Sequence, residues 1–481
     1  MNPRVGTAAA VCVLFTAVAA LLMSSVLTQL SLPLALGVGL GLVVLIIATA
    51  SNELALYLLI FSMLLGPEVL VGGIGKGSNL GRGMTLRVDD FLIAVVGLAW
   101  MAKTALHKEL GLVARTPLNR PITAYAFAAI VATGLGVIGG RVSILGGSLF
   151  VFKYVEYFII YIMLVNNLRE RRQFDRFLLA ILTTAGIASV IGILQIPSGL
   201  RVSAPFEGDS PEPNTFGGYL VLMLALVAGL YLTSASLRRK LLLAVLAVLI
   251  VLPLFFTLSR ASYIALIPLA GALFVWSDKR RFLAFLFAVG LVLGPLVAPQ
   301  AVIDRIRFTF TEPHYADQVQ IGGVRLDTST SQRLQAWKEA VFEDWPKHPV
   351  FGYGVTGYRF LDAQYPRVLM ETGVVGFLAF VWLQVSLFRR SLAVLKAARD
   401  PLFKGVALGF LAGYMGLLTH ALGTNTFVIV RIMEPFWFLA GMVMLIPQLE
   451  AAQSTPPSRE GSEPRRRGVR VLNAPARGAS R

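Results

Sequence analysis

Apolar runs dominate the chain and polar residues gather between them. A membrane-spanning helix needs about 20 mostly apolar residues, and runs of that kind recur about fourteen times. They fall at 7–27, 31–50, 53–67, 89–106, 121–139, 149–167, 177–197, 214–235, 241–258, 261–277, 282–300, 366–388, 404–422 and 425–447. The connectors that follow spans 4, 6, 8, 10 and 12 are rich in Lys and Arg: Lys103–Arg120, Arg169–Arg176, Arg238–Lys240, Lys279–Arg281 and Arg389–Lys404. An Arg-rich tail follows the last span. Lys and Arg mark cytoplasmic loops, so this alternation predicts that both termini are cytoplasmic. Arg4 before the first run resembles a signal peptide, but the many spans behind it and the lack of a clear cleavage site favour a retained helix.

The remaining connectors are then external, and one, 301–365, is far longer than the rest. Loops of that length are usually functional. Within it, Ser329 and Gln332 fit a capping box, and Leu334, Trp337, Val341 and Trp345 recur at helical spacing. The pattern predicts an all-α polytopic membrane protein of about 12–14 spanning helices. Its parts are an N-terminal helix bundle (1–300), an external loop with an amphipathic helix (301–365), C-terminal spans (366–447) and a disordered basic cytoplasmic tail (448–481).

Composition narrows the function classes. The chain of 481 residues is 56% hydrophobic and only 14% charged, with a mean hydropathy of +0.72. These values exclude a disordered chain and an ordinary soluble enzyme. The net charge of +17 falls on the connectors and tail assigned to the cytoplasm. It therefore reads as a topology signal with attraction to anionic lipids, not as a nucleic-acid footprint. The lone Cys12 forms no intramolecular disulfide. His107, His314, His348 and His420 make no metal-binding motif, so neither metal nor cofactor is expected.

Charges at the outer ends of spans are costly unless used. Candidates are Arg87, Asp89 and Asp90 before span 4, and Lys153 and Glu156 in span 6, which could neutralise each other at i, i+3. Asn214 opens span 8. Arg260 lies in the 9/10 turn. Arg333 and Lys338 border the loop helix, while Asp362, Tyr365, Arg367 and Glu371 introduce span 12. Arg431 and Glu434 lie within span 14. Arginines on one side of the membrane suit a diphosphate, because the guanidinium fork matches phosphate oxygens. A carboxylate among them could deprotonate a hydroxyl.

These residues bear a family likeness. Thr257–Ser262 (TLSRAS) resembles the SR-x-S turn of the O-antigen ligase and polymerase superfamily. Ser331–Trp337 resembles its R-x-x-x-W helix, and His348–Gly354 (HPVFGYG) is similar to its HP-x-x-G-x-G turn. Asp362–Gly376 resembles its H/D-N-x-Y-L-x-x-L-x-E-x-G-x-x-G signature, with Ala363 and Pro366 where Asn and Leu are usual. Pro213–Asn214 resembles a PN that opens a span. The likeness runs from about 210 to 380.

The resemblance implies a GT-C-like helical fold and metal-independent, inverting transfer of a glycan from undecaprenyl diphosphate. Arg260 and Arg333 would hold the diphosphate and Asp362 would be the base. Beyond the resemblance, their place near the outer span ends makes Arg87, Lys153, Asn214, Lys338, Tyr365, Arg367 and Glu371 candidates to line the substrate. Histidine is usual at position 362 in lipopolysaccharide ligases, and aspartate is closer to the polymerase-like branch. The expected activity is therefore polymerisation of O-antigen, capsule or exopolysaccharide repeats in the bacterial inner membrane. The partners would be a lipid-linked glycan, an acceptor glycan, membrane lipids, and a chain-length regulator and flippase of the same pathway. A ligase acting on lipid A core or protein is the alternative. A transporter or flippase is the alternative of another class, disfavoured by the lack of internal repeats.

Overall fold

The computed structural model describes residues 51–66, 68–70, 85–87, 90–97, 116–207, 211–297, 299–312, 318–321, 324–325 and 327–454. The spans expected at 7–27 and 31–50, most of 89–106 and the tail beyond 454 lie outside the described residues. The helices are α1 (Asn52–Leu65), α2 (Asn119–Ile138), α3 (Ile144–Asn167), α4 (Arg171–Gln195), α5 (Pro213–Thr233), α6 (Leu237–Phe256), α7 (Arg260–Trp276), α8 (Arg280–Val297), α9 (Gln300–Thr311), α10 (Thr328–Lys338), α11 (Gln364–Ala397), α12 (Pro401–His420) and α13 (Val430–Ser454). Residues 90–97 are also helical. Eight of these helices are long and apolar enough to cross a membrane, and α1 and α7 are shorter apolar helices. Two minimal antiparallel ladders, Glu68–Leu70 with Thr85–Arg87 and Gln320–Ile321 with Val324–Arg325, lie in connectors. The protein is an all-α polytopic membrane protein.

Local signals set the helix ends. Side chains of Ser143, Ser236, Ser259 and Asp400 accept backbone N–H groups as N-caps of α3, α6, α7 and α12. Glu170 and Gln173 form a capping box on α4. The core is α5, α12 and α13, whose residues are buried nearly all round. Helices α5 and α12 meet through small residues, as membrane helices do when their backbones approach closely. A Cβ on Gly229 would lie only 2.4 Å from the Gly409 nitrogen.

Successive connectors alternate between the two ends of the bundle. At one end Arg171 bonds Asp400 (2.9 Å), Lys404 bonds Asp278 (2.7 Å), and Glu450 accepts the N–H groups of Arg399 and Asp400. The described basic connectors are all there. The connectors after α4, α6 and α12 meet at the other end, together with the loop before α11.

Two expected boundaries move. The span placed at 425–447 is α13, beginning at Val430. Residues 425–429 form a loop, because Asn425 and Thr426 turn their polar groups into internal bonds although Phe427, Val428 and Ile429 look apolar. The same helix runs on to Ser454, so residues 448–454 of the expected disordered tail are helical.

Arg431, 1% exposed, staples the second end. Its guanidinium donates to the carbonyls of Leu64 (3.0 Å), Pro205 (2.7 Å), Gly66 (3.3 Å) and Phe206 (3.4 Å). Four carbonyls, one at the end of α1 and three in connectors, thereby find a partner away from water. Arg431→Met is expected to lower stability by about 3 kcal/mol or more, since single bonds from charged donors contribute about 1.5–3 kcal/mol. Denaturation of the purified protein in mild detergent would measure it, and an unchanged midpoint would contradict the staple.

Candidate active site

The site is built at this stapled end, around the turn between α6 and α7. Thr257 closes α6 and Ser259 caps α7, which leaves Leu258 between them in a left-handed conformation (φ 50°). A branched residue held there signals strain that its surroundings must sustain. Arg201 supplies that support, donating to the carbonyls of Thr257 (2.9 Å) and Leu258 (3.4 Å). Val202 N–H adds a bond to Phe256 O at 3.0 Å. The turn presents Arg260 as the first residue of α7.

Arg260 reaches across to the loop helix and pairs with Asp327 at 2.7 Å. Asp327 is 2% exposed and also accepts from Thr330 Oγ1 at 2.6 Å. Burial alone would raise its carboxyl. The bonds from Thr330 and Arg260, with the charges of Arg260 and Arg305, hold it below the usual carboxylate range instead. Nearly two turns along α10, Arg333 pairs with Asp362 at 2.7 Å, both side chains being about one-third exposed. Arg201 and Arg305 complete the group. Desolvation, then Arg305, and then Arg260 and Arg333 lower Arg201. Desolvation, then Arg260 and Arg333, lower Arg305, against the pull of Asp327 and Tyr263. Four arginines therefore gather at one mouth of the bundle, where Arg260 and Arg333 repel Arg201 and Arg305. A multivalent anion would relieve that.

The backbone around Asp362 is fixed from below. Leu361 O accepts from Asn425 Nδ2 (2.8 Å), Gln364 N–H donates to Ala421 O (3.1 Å), and Gln364 Oε1 accepts from Phe427 N–H (2.9 Å). The loop 425–429, expected as the start of a span, is thus the seat of the carboxylate.

Helix α11 is interrupted at Gly373 (φ 63°, ψ −168°). The loop His348–Gly354 fits into the break. Tyr353 N–H bonds Met370 O (2.8 Å) and Gly354 N–H bonds Glu371 O (2.9 Å). In return Val374 N–H bonds Pro349 O (2.9 Å) and Val375 N–H bonds Val350 O (3.2 Å). The two glycine-bearing motifs of the sequence are two sides of one structural joint.

The expected Lys153–Glu156 pair and loop capping box do not form, and the other expected residues have their own partners. Lys153 pairs with Asp90 (2.9 Å), not with Glu156. Arg367 lies buried against Glu371 (3.0 Å), whose other oxygen accepts from Tyr154 (2.6 Å). Tyr365 gives its hydroxyl to Leu418 O (2.6 Å) inside the bundle. Asn214 is half-buried at the start of α5, one turn before Gly217, which abuts Ser262 beside Arg260. Lys338 is exposed at the end of α10. Arg87 sits in a ladder opposite Glu68. The capping box at Ser329 and Gln332 does not form, because the helix begins at Thr328 with Asp327 before it. It then widens into a π-helical turn, Glu339–Asp344, so the inward face carries Ala336, Ala340 and Trp345 rather than a straight Leu334–Trp345 stripe. Tyr353 and Tyr358 bond the backbone and carboxylate of Asp344 and pack on each other.

Arg201, Arg305 and Asp327 were not singled out in the sequence. Each is one polar residue in a connector, and only the tertiary fold makes it a neighbour of Arg260. His420, which belongs to no motif visible in the sequence, bonds Ser262, Thr424 and Thr426. The polar run Thr424–Thr426 inside an apolar stretch was the available signal.

No curated protein matches the chain. Residues 245–381 match the family described as O-antigen ligase, a segment that holds Arg260, Arg305, Asp327, Arg333 and Asp362. Members of that family are glycan ligases and polymerases. Over this segment the chain is similar to the O-antigen ligase family, within a polytopic membrane protein.

Proposed function

We propose that the protein transfers a glycan from undecaprenyl diphosphate to an acceptor sugar at the outer face of the cytoplasmic membrane, extending an O-antigen, capsule or exopolysaccharide. The observation that carries this reading is the convergence of Arg201, Arg260, Arg305 and Arg333 around Asp327 and Asp362. A lipid diphosphate offers oxygens to several guanidiniums at once, and at the mouth of a bundle its polyprenyl tail can stay in lipid. Asp362 is masked by Arg333 in the resting site. As the diphosphate draws Arg333 to itself, the carboxylate is released to act as base.

The acceptor hydroxyl gives its proton to Asp362 and its oxygen bonds the anomeric carbon. The bond from that carbon to the diphosphate breaks on the opposite face, so the configuration inverts. The arginines take up the charge that develops on the leaving group. The products are the lengthened glycan and undecaprenyl diphosphate. In this reading arginines do the neutralising that a metal ion does in other transferases.

Turnover by purified protein tests this. The donor would be the lipid-linked glycan that accumulates in a strain lacking the gene. Arg260→Ala is expected to lower kcat/KM by about 10²-fold, the loss typical of one group that stabilises developing charge. Undiminished chain growth in that variant rejects the reading. The family description favours a second reading, ligation to lipid A core or protein. A deletion strain separates the two: loss of a polymerase leaves single repeats, and loss of a ligase leaves long polymer on its carrier lipid.

A further inference from the structure

His420 closes α12 and is fully buried. Its Nε2 lies 3.2 Å from Ser262 Oγ, and its Nδ1 lies 2.8 Å from Thr426 Oγ1 and 3.1 Å from Thr424 Oγ1. Ser262 Oγ donates to Ser259 Oγ at 2.9 Å, and Ser259 is the N-cap of the helix that begins with Arg260. A neutral ring with its proton on Nε2 satisfies the set: it donates to Ser262 and accepts from Thr426.

The opposite arm runs to the carboxylate. Thr424 and Thr426 flank Asn425, which holds Leu361 O, while Ala421 and Phe427 hold Gln364. The backbone on both sides of Asp362 is thus tied to the segment that His420 anchors. Helix α5 makes room for this network. A Cβ on Gly217 would lie 2.2 Å from Ser262 Oγ, and one on Gly218 would lie 3.0 Å from His420 Cε1.

We propose that His420 is a positioning residue whose two ring nitrogens keep the turn bearing Arg260 in register with the loop that seats Asp362. This rests on the roles given above to those two residues. A buried histidine that only fills space would serve both arms alike. A histidine that positions two reacting groups gives each nitrogen a separate kinetic duty. The Nε2 arm governs the grip on the diphosphate, and the Nδ1 arm governs the placement of the base.

Two substitutions divide the ring. In His420→Asn the amide oxygen replaces Nδ1 and the link to Ser262 is lost. In His420→Gln the amide nitrogen reaches toward Ser262 and the acceptor for Thr426 is lost. With the full-length protein in lipid nanodiscs and the lipid-linked glycan from the deletion strain as donor, His420→Asn is expected to raise the donor KM about tenfold with kcat within about twofold. His420→Gln is expected to lower kcat about tenfold with KM within about twofold. Equal shifts of both constants in both variants, or no shift in either, overturn the proposal.

If either protein folds poorly, Ser262→Ala and Thr426→Val cut the same two arms from outside the ring, and the same split is required of them. Arg260→Ala and Asp362→Asn run in the same assay separate the two levels of the argument. If both turn over at the wild-type rate, the reading of the site falls and this proposal with it. If both are impaired while the His420 variants fail to split, only the positioning role falls.

Discussion

Asp362→Asn is expected to lower kcat for glycan transfer by about 10²- to 10⁴-fold, the range that a positioned general base contributes, while donor KM stays within a few fold. The amide matches the carboxylate in size and its oxygen can still accept from Arg333, whose bond to Asp362 is 2.7 Å. The backbone at 361 and 364 is held independently by Asn425, Ala421 and Phe427. The geometry therefore survives and only the capacity to take a proton is removed. Single-turnover kinetics with donor prebound would isolate the chemical step. A variant that transfers glycan at the wild-type rate would remove Asp362 as base and leave the arginine group as an anion site without its chemistry.

Gly373→Ala is expected to be the most damaging single change in α11. The residue adopts φ 63°, ψ −168°, a region essentially confined to glycine. A Cβ there would lie 2.3 Å from Val350 O and 2.5 Å from Phe351 N. Both are backbone atoms of the docked loop, so no side-chain rotation relieves the clash. Either the loop leaves or the variant carries several kcal/mol of strain, of the order assigned to large point-mutant effects. The yield of monodisperse protein in detergent, together with turnover, would report it. Gly134→Ala in α2 is the matched control, because its Cβ meets nothing within 4 Å and alanine favours the helix by about 1 kcal/mol. Equal yield and activity from the two variants would show that the break in α11 is dispensable.

Much of the architecture was readable from the order of residues, because bilayer thickness and loop charge are one-dimensional signals. The Ser259–Arg260 turn stood out as a charge between two apolar helices, and Asp362 as a carboxylate before a span. Arg201, Arg305 and Asp327 could not be ranked above other loop charges. What distinguishes them is convergence across more than a hundred residues of chain. The stretch Phe427–Ile429 was absorbed into a span because apolarity alone does not separate a buried loop from a helix. The π turn at Glu339–Asp344 was invisible for a related reason: one extra residue per turn shifts a face without changing composition. The glycine motifs at 352–354 and 373 were seen separately, although their meaning lies in how they interlock.

The interlocked joint also bears on how the enzyme matures in the membrane. An unbroken α11 would satisfy Met370 O and Glu371 O with its own Val374 and Val375 N–H groups, as any helix does. That self-sufficient form is the one that can enter hydrocarbon, where unsatisfied backbone groups are prohibitive. The docked loop replaces those two bonds with four. The exchange becomes favourable only once residues 348–354 have reached the membrane face at which α11 begins and closed on the span. The nine residues that follow Asp362 and Ala363, up to Thr372, take their final direction in that exchange. In the proposed mechanism, catalytic competence is then acquired after insertion, as the last hydrogen bonds of the span are handed from the helix to the loop.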